Sequence, residues 1–251
     1  MSRCRWYEAA LSTCLLALGT WCHLGPAAAD EGAAPRGADA APTTRAESTL
    51  KALELALRTN TDYCRQWLSD GDFKSLQQTA TGVRLLVQVV RCQSDDAAWQ
   101  HVASAVHEAA QRLEAAAGRG DAADAQAALE LLRRATARLA EARPSGKPQP
   151  AAAPEAGLRP MMALLEGTYA DAKAALSFGE PQATKMHARV LAELGAVLFN
   201  YRQADARWGA LADEFAAACR AVAEAETDDP GALRAALRTV YQRCEACHNR
   251  P

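Results

Sequence analysis

The chain has 251 residues, enough for one large domain or two small ones. Its 28 Lys and Arg against 30 Asp and Glu leave a formal net charge of -2, with no broad basic surface to neutralise a phosphate backbone. Nucleic-acid binding is therefore excluded on electrostatic grounds. From about residue 47 onward Ala, Leu, Arg and Glu dominate, with few aromatics and few β-branched runs, a composition that favours an all-α fold.

Residues 1–29 read as a secretory signal peptide. Arg3 and Arg5 precede the apolar core "AALSTCLLALG", and "AAAD" offers small residues before a cut after Ala29. The apolar run is interrupted by Thr20, Trp21, Cys22 and His23 and is short for a span, with an uncleaved anchor as the alternative. A lipoprotein cut before Cys22 is opposed by bulky Trp21. The expected location is periplasmic or otherwise exported, with no membrane association unless the leader is retained. Cleavage removes Cys4, Cys14 and Cys22 and leaves Cys64, Cys92, Cys219, Cys244 and Cys247, an odd set that excludes a full disulfide framework.

Residues 30–46 mix Pro, Gly, Ala and isolated charges without an apolar period, as in a disordered tether. Four helices follow, at about 47–68, 73–92, 96–117 and 121–142, with "SDGD" and "GRGD" at two joints. A Pro/Ala-rich linker, 143–157, cannot continue a helix and favours an extended spacer. Four more helices are expected at about 158–177, 181–201, 205–225 and 231–248. The two runs are similar. Without a gap, Trp99 pairs with Trp208, Asp96 with Asp205, Leu85 with Leu194, Asp62 with Asp171, Thr59 with Thr168 and Leu55 with Leu164. A one-residue slip in the last loop then pairs Leu129 with Leu237 and Leu132 with Val240. Short connections make neighbours antiparallel, so two tandem antiparallel four-helix bundles are expected, 47–142 and 158–251.

The last helix carries the chemistry, "YQRCEACHNRP". Leu233, Leu237, Val240, Cys244 and Cys247 fall on one helical stripe, which places Cys244, Cys247 and His248 together. Cys-x-x-Cys-His is the attachment signature of c-type haem, and an exported chain is where attachment is expected. Three other readings compete. A redox dithiol normally sits at a helix N-terminus, where the dipole stabilises a thiolate; here the motif is at a C-terminal end. Zinc needs a fourth ligand, and His101, His107 and His187 show no paired spacing. A disulfide between cysteines three apart in a regular helix rarely reaches acceptable geometry.

With "CEACH" on its final helix, preceded by "TDDPGALRAALRTVYQR" and by the Trp-led "RWGALADEFAAACRAVAEA", the stretch 158–251 resembles cytochrome c′, the class II c-type cytochromes. The resemblance implies one covalent haem c per chain, with Cys244 and Cys247 as thioether residues and His248 as the proximal iron ligand. It implies one-electron transfer to a redox partner protein and admits a homodimer; nothing in the chain suggests a substrate pocket or acid-base pair, so enzymatic catalysis is not expected. Family members usually continue through a Tyr-Arg or Phe-Arg pair, whereas Asn249, Arg250 and Pro251 follow here, so Arg250 or Arg243 is the nearest substitute for that base and His248 is expected in an exposed last turn. Low-spin members fill the sixth iron position with a helix-1 methionine. The equivalent position falls near Ala163, and Met162 serves if the register shifts by one; as the alternative, Met161 and Met162 are core gap-fillers. Met186 and His187 are weaker candidates. An open distal site beside Ala163 would instead suit a small gas such as nitric oxide, and a third reading makes the first bundle an interaction module with a non-haem role.

At the positions of Cys244, Cys247 and His248 the first run has Thr136, Leu139 and Ala140, which cannot attach a haem. That bundle is expected to be haemless, its volume filled by Leu129, Leu132 and Leu139 with Leu85, Leu86 and Val89. Cys64 and Cys92 are expected about 20 Å apart along their helix pair and unbonded. Cys219 reads as a small buried hydrophobe, and Trp99 and Trp208 as packing anchors.

Overall fold

The apolar periods resolve into eight α-helices in the computed structural model, which describes residues 45–150, 154–202 and 205–248. The leader, the tether up to residue 44 and Asn249 to Pro251 lie outside the described residues. The helices are α1 (Arg45–Asp70), α2 (Phe73–Arg91), α3 (Ala97–Gly118), α4 (Ala122–Glu141), α5 (Leu158–Ser177), α6 (Pro181–Leu198), α7 (Ala206–Ala223) and α8 (Pro230–His248). The fold class is all-α.

Helix starts follow the sequence closely. Asp72, Asp96, Asp121 and Asp205 each accept a hydrogen bond from a backbone N–H two or three residues on, satisfying donors that a helix N-terminus leaves open. Pro181 occupies the first turn of α6. α1 and α5 close in the same way, with Gly71 (φ +71°) bonding back to Leu68 and Gly179 (φ +76°) to Leu176. Two boundaries differ from expectation. Arg45 and Ala46, assigned to the tether, belong to α1, where Glu47 and Lys51 pair across one turn at 3.0 Å. The second helix of the second run stops at Leu198 and tightens into a 3₁₀ turn, Phe199–Arg202. The reason is local: the indole N–H of Trp208 donates to the Leu198 carbonyl at 2.8 Å, the oxygen that a further α-turn would have used.

Packing proceeds by neighbours. α1 lies against α2 and α4, α2 against α3 and α3 against α4; α5 lies against α6, α6 against α7 and α7 against α8, with a lighter seam between α5 and α8. α1 also rests on α6 and α2 on α5, so one continuous apolar core runs through all eight helices within the unit Pro42–Pro251. The extended Pro-rich stretch is bonded rather than free. The Lys147 carbonyl accepts from the Asp95 N–H (2.9 Å), the Gln149 N–H donates to Cys92 O (2.8 Å), the Gly146 N–H to Ser94 Oγ (3.0 Å), and Ser145 bonds to Asp96. Glu155 then meets Arg84, which also holds Glu114 at 2.6 Å.

Matching burial relates the two runs, with a register that corrects the gapless pairing. Leu53 and Met161, Leu57 and Leu165, Cys64 and Ala172, Leu86 and Leu194, and Leu132 and Val240 are all buried, each pair 108 positions apart. Only the third helix keeps the shift of 109, in which Trp99 and Trp208 are both buried. Leu85–Leu194, Leu55–Leu164, Thr59–Thr168 and Asp62–Asp171 are therefore out of step by one, because the extra residue sits in the turn after α6 rather than at the start. Leu85, Leu86, Val89, Leu129, Leu132 and Leu139 are all buried, as expected of core fillers. Cys64 and Cys92 are free, and Cys219 is fully buried and free.

Alanine at Gly71 or Gly179 would place its Cβ in open space, so each substitution is expected to cost only the left-handed backbone penalty, about 1–2 kcal/mol, read from denaturant midpoints. A second expectation concerns pH. Tyr63 on α1 donates to Asp171 on α5 at 2.8 Å, with His187 of α6 buried beside that carboxyl. Burial holds His187 below its ordinary 6.5, against the opposing pull of Asp171 and Glu180. The unfolded chain then binds the proton first, so this contribution is complete above pH 6.5 and lost as pH falls below it. Asp171 is pushed above its ordinary 3.8 by burial and acts in the opposite sense. Stability measured from pH 7 to pH 5 should fall less steeply in His187→Gln than in the parent chain.

Candidate functional site

α8 is fixed at its start by two adjacent acids. The Asp229 carboxylate accepts the Ala232 N–H at 2.7 Å, and Asp228 holds Lys185 of α6 at 2.7 Å. From there Leu233, Leu237 and Val240 are buried, and Cys244 and Cys247 continue the stripe as half-buried side chains against the core. His248 is exposed in the last turn, as expected.

Two helices wall the cysteines. From α7, buried Cys219 stands behind Cys244 and its thiol is pushed up by burial and by that neighbour. From α5, the Tyr169 hydroxyl donates to Leu237 O at 3.2 Å, and the Tyr169 and Tyr241 rings stack with centroids 6.1 Å apart. Glu166, one turn earlier on α5, acts on Cys244. Met162, Glu166, Tyr169 and Lys173 thus form the α5 stripe that faces α8. Since α5 and α8 run antiparallel, stepping back along α5 from Tyr169 to Met162 advances along α8 from Leu237 toward the motif. Met162 is half-buried against the core, Met161 fully buried and Ala163 exposed.

The remaining candidates are placed elsewhere. Met186 of α6 lines a groove with residues of α1 and α4, and His187 is buried beside Asp171 of α5. Arg243 reaches Glu214 of α7 at 2.9 Å and ties the two helices together instead of attending His248; Arg250 lies outside the described residues. Trp208 is buried with its N–H satisfied, the role of a packing anchor.

The Cys244 thiol is pushed up to about 11, first by burial and then by the neighbouring Cys247. It is protonated at neutral pH, the opposite of what a thioredoxin-type dithiol needs. Among the described residues no group of three or more His, Cys, Asp or Glu side chains is placed to hold a metal ion. Two half-buried cysteines on one face of a helix, bordering the core, with an imidazole on the residue after the second, fit the donor set of a covalently held porphyrin. The facing tyrosines and Glu166 were not singled out from sequence, although the 162, 166, 169, 173 spacing is the signal that would have found them.

Among the described residues no helix is long and apolar enough to cross a membrane. Set against protein-family models, curated proteins and solved structures, the chain has no match in any of the three comparisons.

Proposed function

We propose that the chain is an exported, monohaem c-type cytochrome of class II type, built from two tandem antiparallel four-helix bundles of which only the second holds haem. The observation that carries this reading is the placement of half-buried Cys244 and Cys247 on one face of α8 with His248 immediately after them. The bound haem would supply a one-electron couple at its iron. Cys244 and Cys247 would hold the macrocycle by thioethers, and His248 would offer an imidazole nitrogen to the iron. α7 backs the thiols with Cys219, while the α5 stripe of Met162, Glu166 and Tyr169 closes the opposite wall. The 108-residue burial register supports descent of both halves from one four-helix unit, with Thr136, Leu139 and Ala140 in place of the motif. Export rests on the character of residues 1–29, and the exposed end of α8 is where a redox partner protein would reach the haem.

The protein expressed with its leader should retain one haem per chain after denaturation and organic extraction, and Cys244→Ala/Cys247→Ala should retain none while keeping its helical signal. A parent chain that yields no covalent haem overturns the reading. Met162, rather than Ala163, lies on the stripe facing α8, which favours the electron carrier over the gas binder. The ferric form is therefore expected to be low-spin and to turn high-spin in Met162→Ala. A parent already high-spin and unchanged by that substitution would move the assignment to small-gas binding at an open iron.

A further inference from the structure

A groove of about 500 Å³ opens between α1 and α4, with Met186 of α6 at its edge. It includes Thr136, Leu139 and Ala140, the positions that lie 108 residues before Cys244, Cys247 and His248. The core leucines are buried as expected, yet this part of the helix pair stays open. Its volume falls within the range of small-ligand sites, roughly 300–1,000 Å³. The span from Lys51 to Asp62 on α1 gives it a length of roughly 16 Å at the α-helical rise. Walled by two helices, it suits an extended chain better than a broad ring.

The chemistry of the lining narrows the occupant. Leu55, Ala137, Ala140 and Met186 supply apolar surface over buried Leu57 and Leu139. The acids Glu54 and Asp62 are engaged, the first with Arg143 at 3.7 Å and the second with Arg65 at 3.0 Å. Among the cations, Lys51 and Arg133 hold exposed partners on their own helices, whereas Arg58 makes no ion pair among the described residues. Thr136 adds an independent anomaly. Thr61, Thr79, Thr81, Thr168, Thr184 and Thr239 each donate to the carbonyl four residues earlier, but the Thr136 hydroxyl is buried with no partner. A buried hydroxyl without a partner costs about 1–3 kcal/mol, a penalty that a bound acceptor would relieve.

We propose that this groove binds an aliphatic carboxylate, its chain along the Leu55, Ala140 and Met186 surface and its carboxylate at Arg58, with the Thr136 hydroxyl, turned outward about χ1, as a second polar contact. The site is independent of haem attachment. The test uses the full chain, with dodecanoate as the probe below its micelle concentration and titration calorimetry as the readout. Saturable binding of one dodecanoate per chain is expected, with dodecan-1-ol and butyrate at least tenfold weaker. Arg58→Gln should weaken dodecanoate about tenfold. Ala140→Trp, at an exposed position in the groove, should abolish binding with the melting temperature kept. Thr136→Val should raise the melting temperature of the free protein while weakening the complex, a combination that a purely structural threonine would not give. Cys244→Ala/Cys247→Ala should bind dodecanoate as the parent does, so failure of the haem reading leaves this one standing. Absence of saturable binding, or binding that Ala140→Trp and Arg58→Gln leave unchanged, overturns it.

Discussion

The placement of the third helix of each run depends on one hydrogen bond. The Trp208 indole N–H reaches back to the Leu198 carbonyl while Asp205 caps the two N–H groups beside it, and Trp99 does the same to Val90 with Asp96 as its cap. A single residue thereby closes one helix, opens the next and fixes the angle between them. In the second run this sets α7 on α6, and α7 is the helix on which α8 chiefly rests. The position of the two cysteines is inherited from that contact. Burying a polar indole nitrogen is tolerable only with such a partner, and the bond also explains why α6 must end where it does.

Much of this was legible in the sequence because it is written in local signals. Aspartate caps, glycines that turn left-handed and a helical stripe of leucines ending in cysteines need no knowledge of distant neighbours. The helices and the placement of the motif on the last of them follow from such signals. The pairing of the runs was legible only to within one residue, since a gapless comparison anchored on the tryptophans cannot see that the extra residue lies in the turn after α6. What sequence could not supply were contacts between helices far apart in the chain. Tyr63 with Asp171, Tyr169 with Leu237 and Tyr241, and the bonding of the Pro-rich stretch to Ser94–Asp96 arise from tertiary placement alone. The choice between Met162 and Ala163 is of the same kind: adjacent residues on a helix differ by about 100° in direction, and only the partner helix decides which one faces inward.

The two final helices show how one position in a helical scaffold takes different chemistry. On α4 the stripe ends in Thr136 and Leu139, on α8 in Cys244 and Cys247, and the leucines and valine before them are equivalent. The scaffold is specified by the first three turns of the helix and the site by the last.

The Pro-rich stretch has a further consequence. By bonding to the α2–α3 turn along residues 145–149 and to Arg84 through Glu155, it takes up the slack between the halves and delivers the start of α5 beside α2. A loose tether of the same length would hold the second half at a dilute effective concentration. A strap pinned close to the docking surface raises that concentration toward its limit, so that a small contact between α1, α2 and α5, α6 persists where the same contact between separate chains would dissociate.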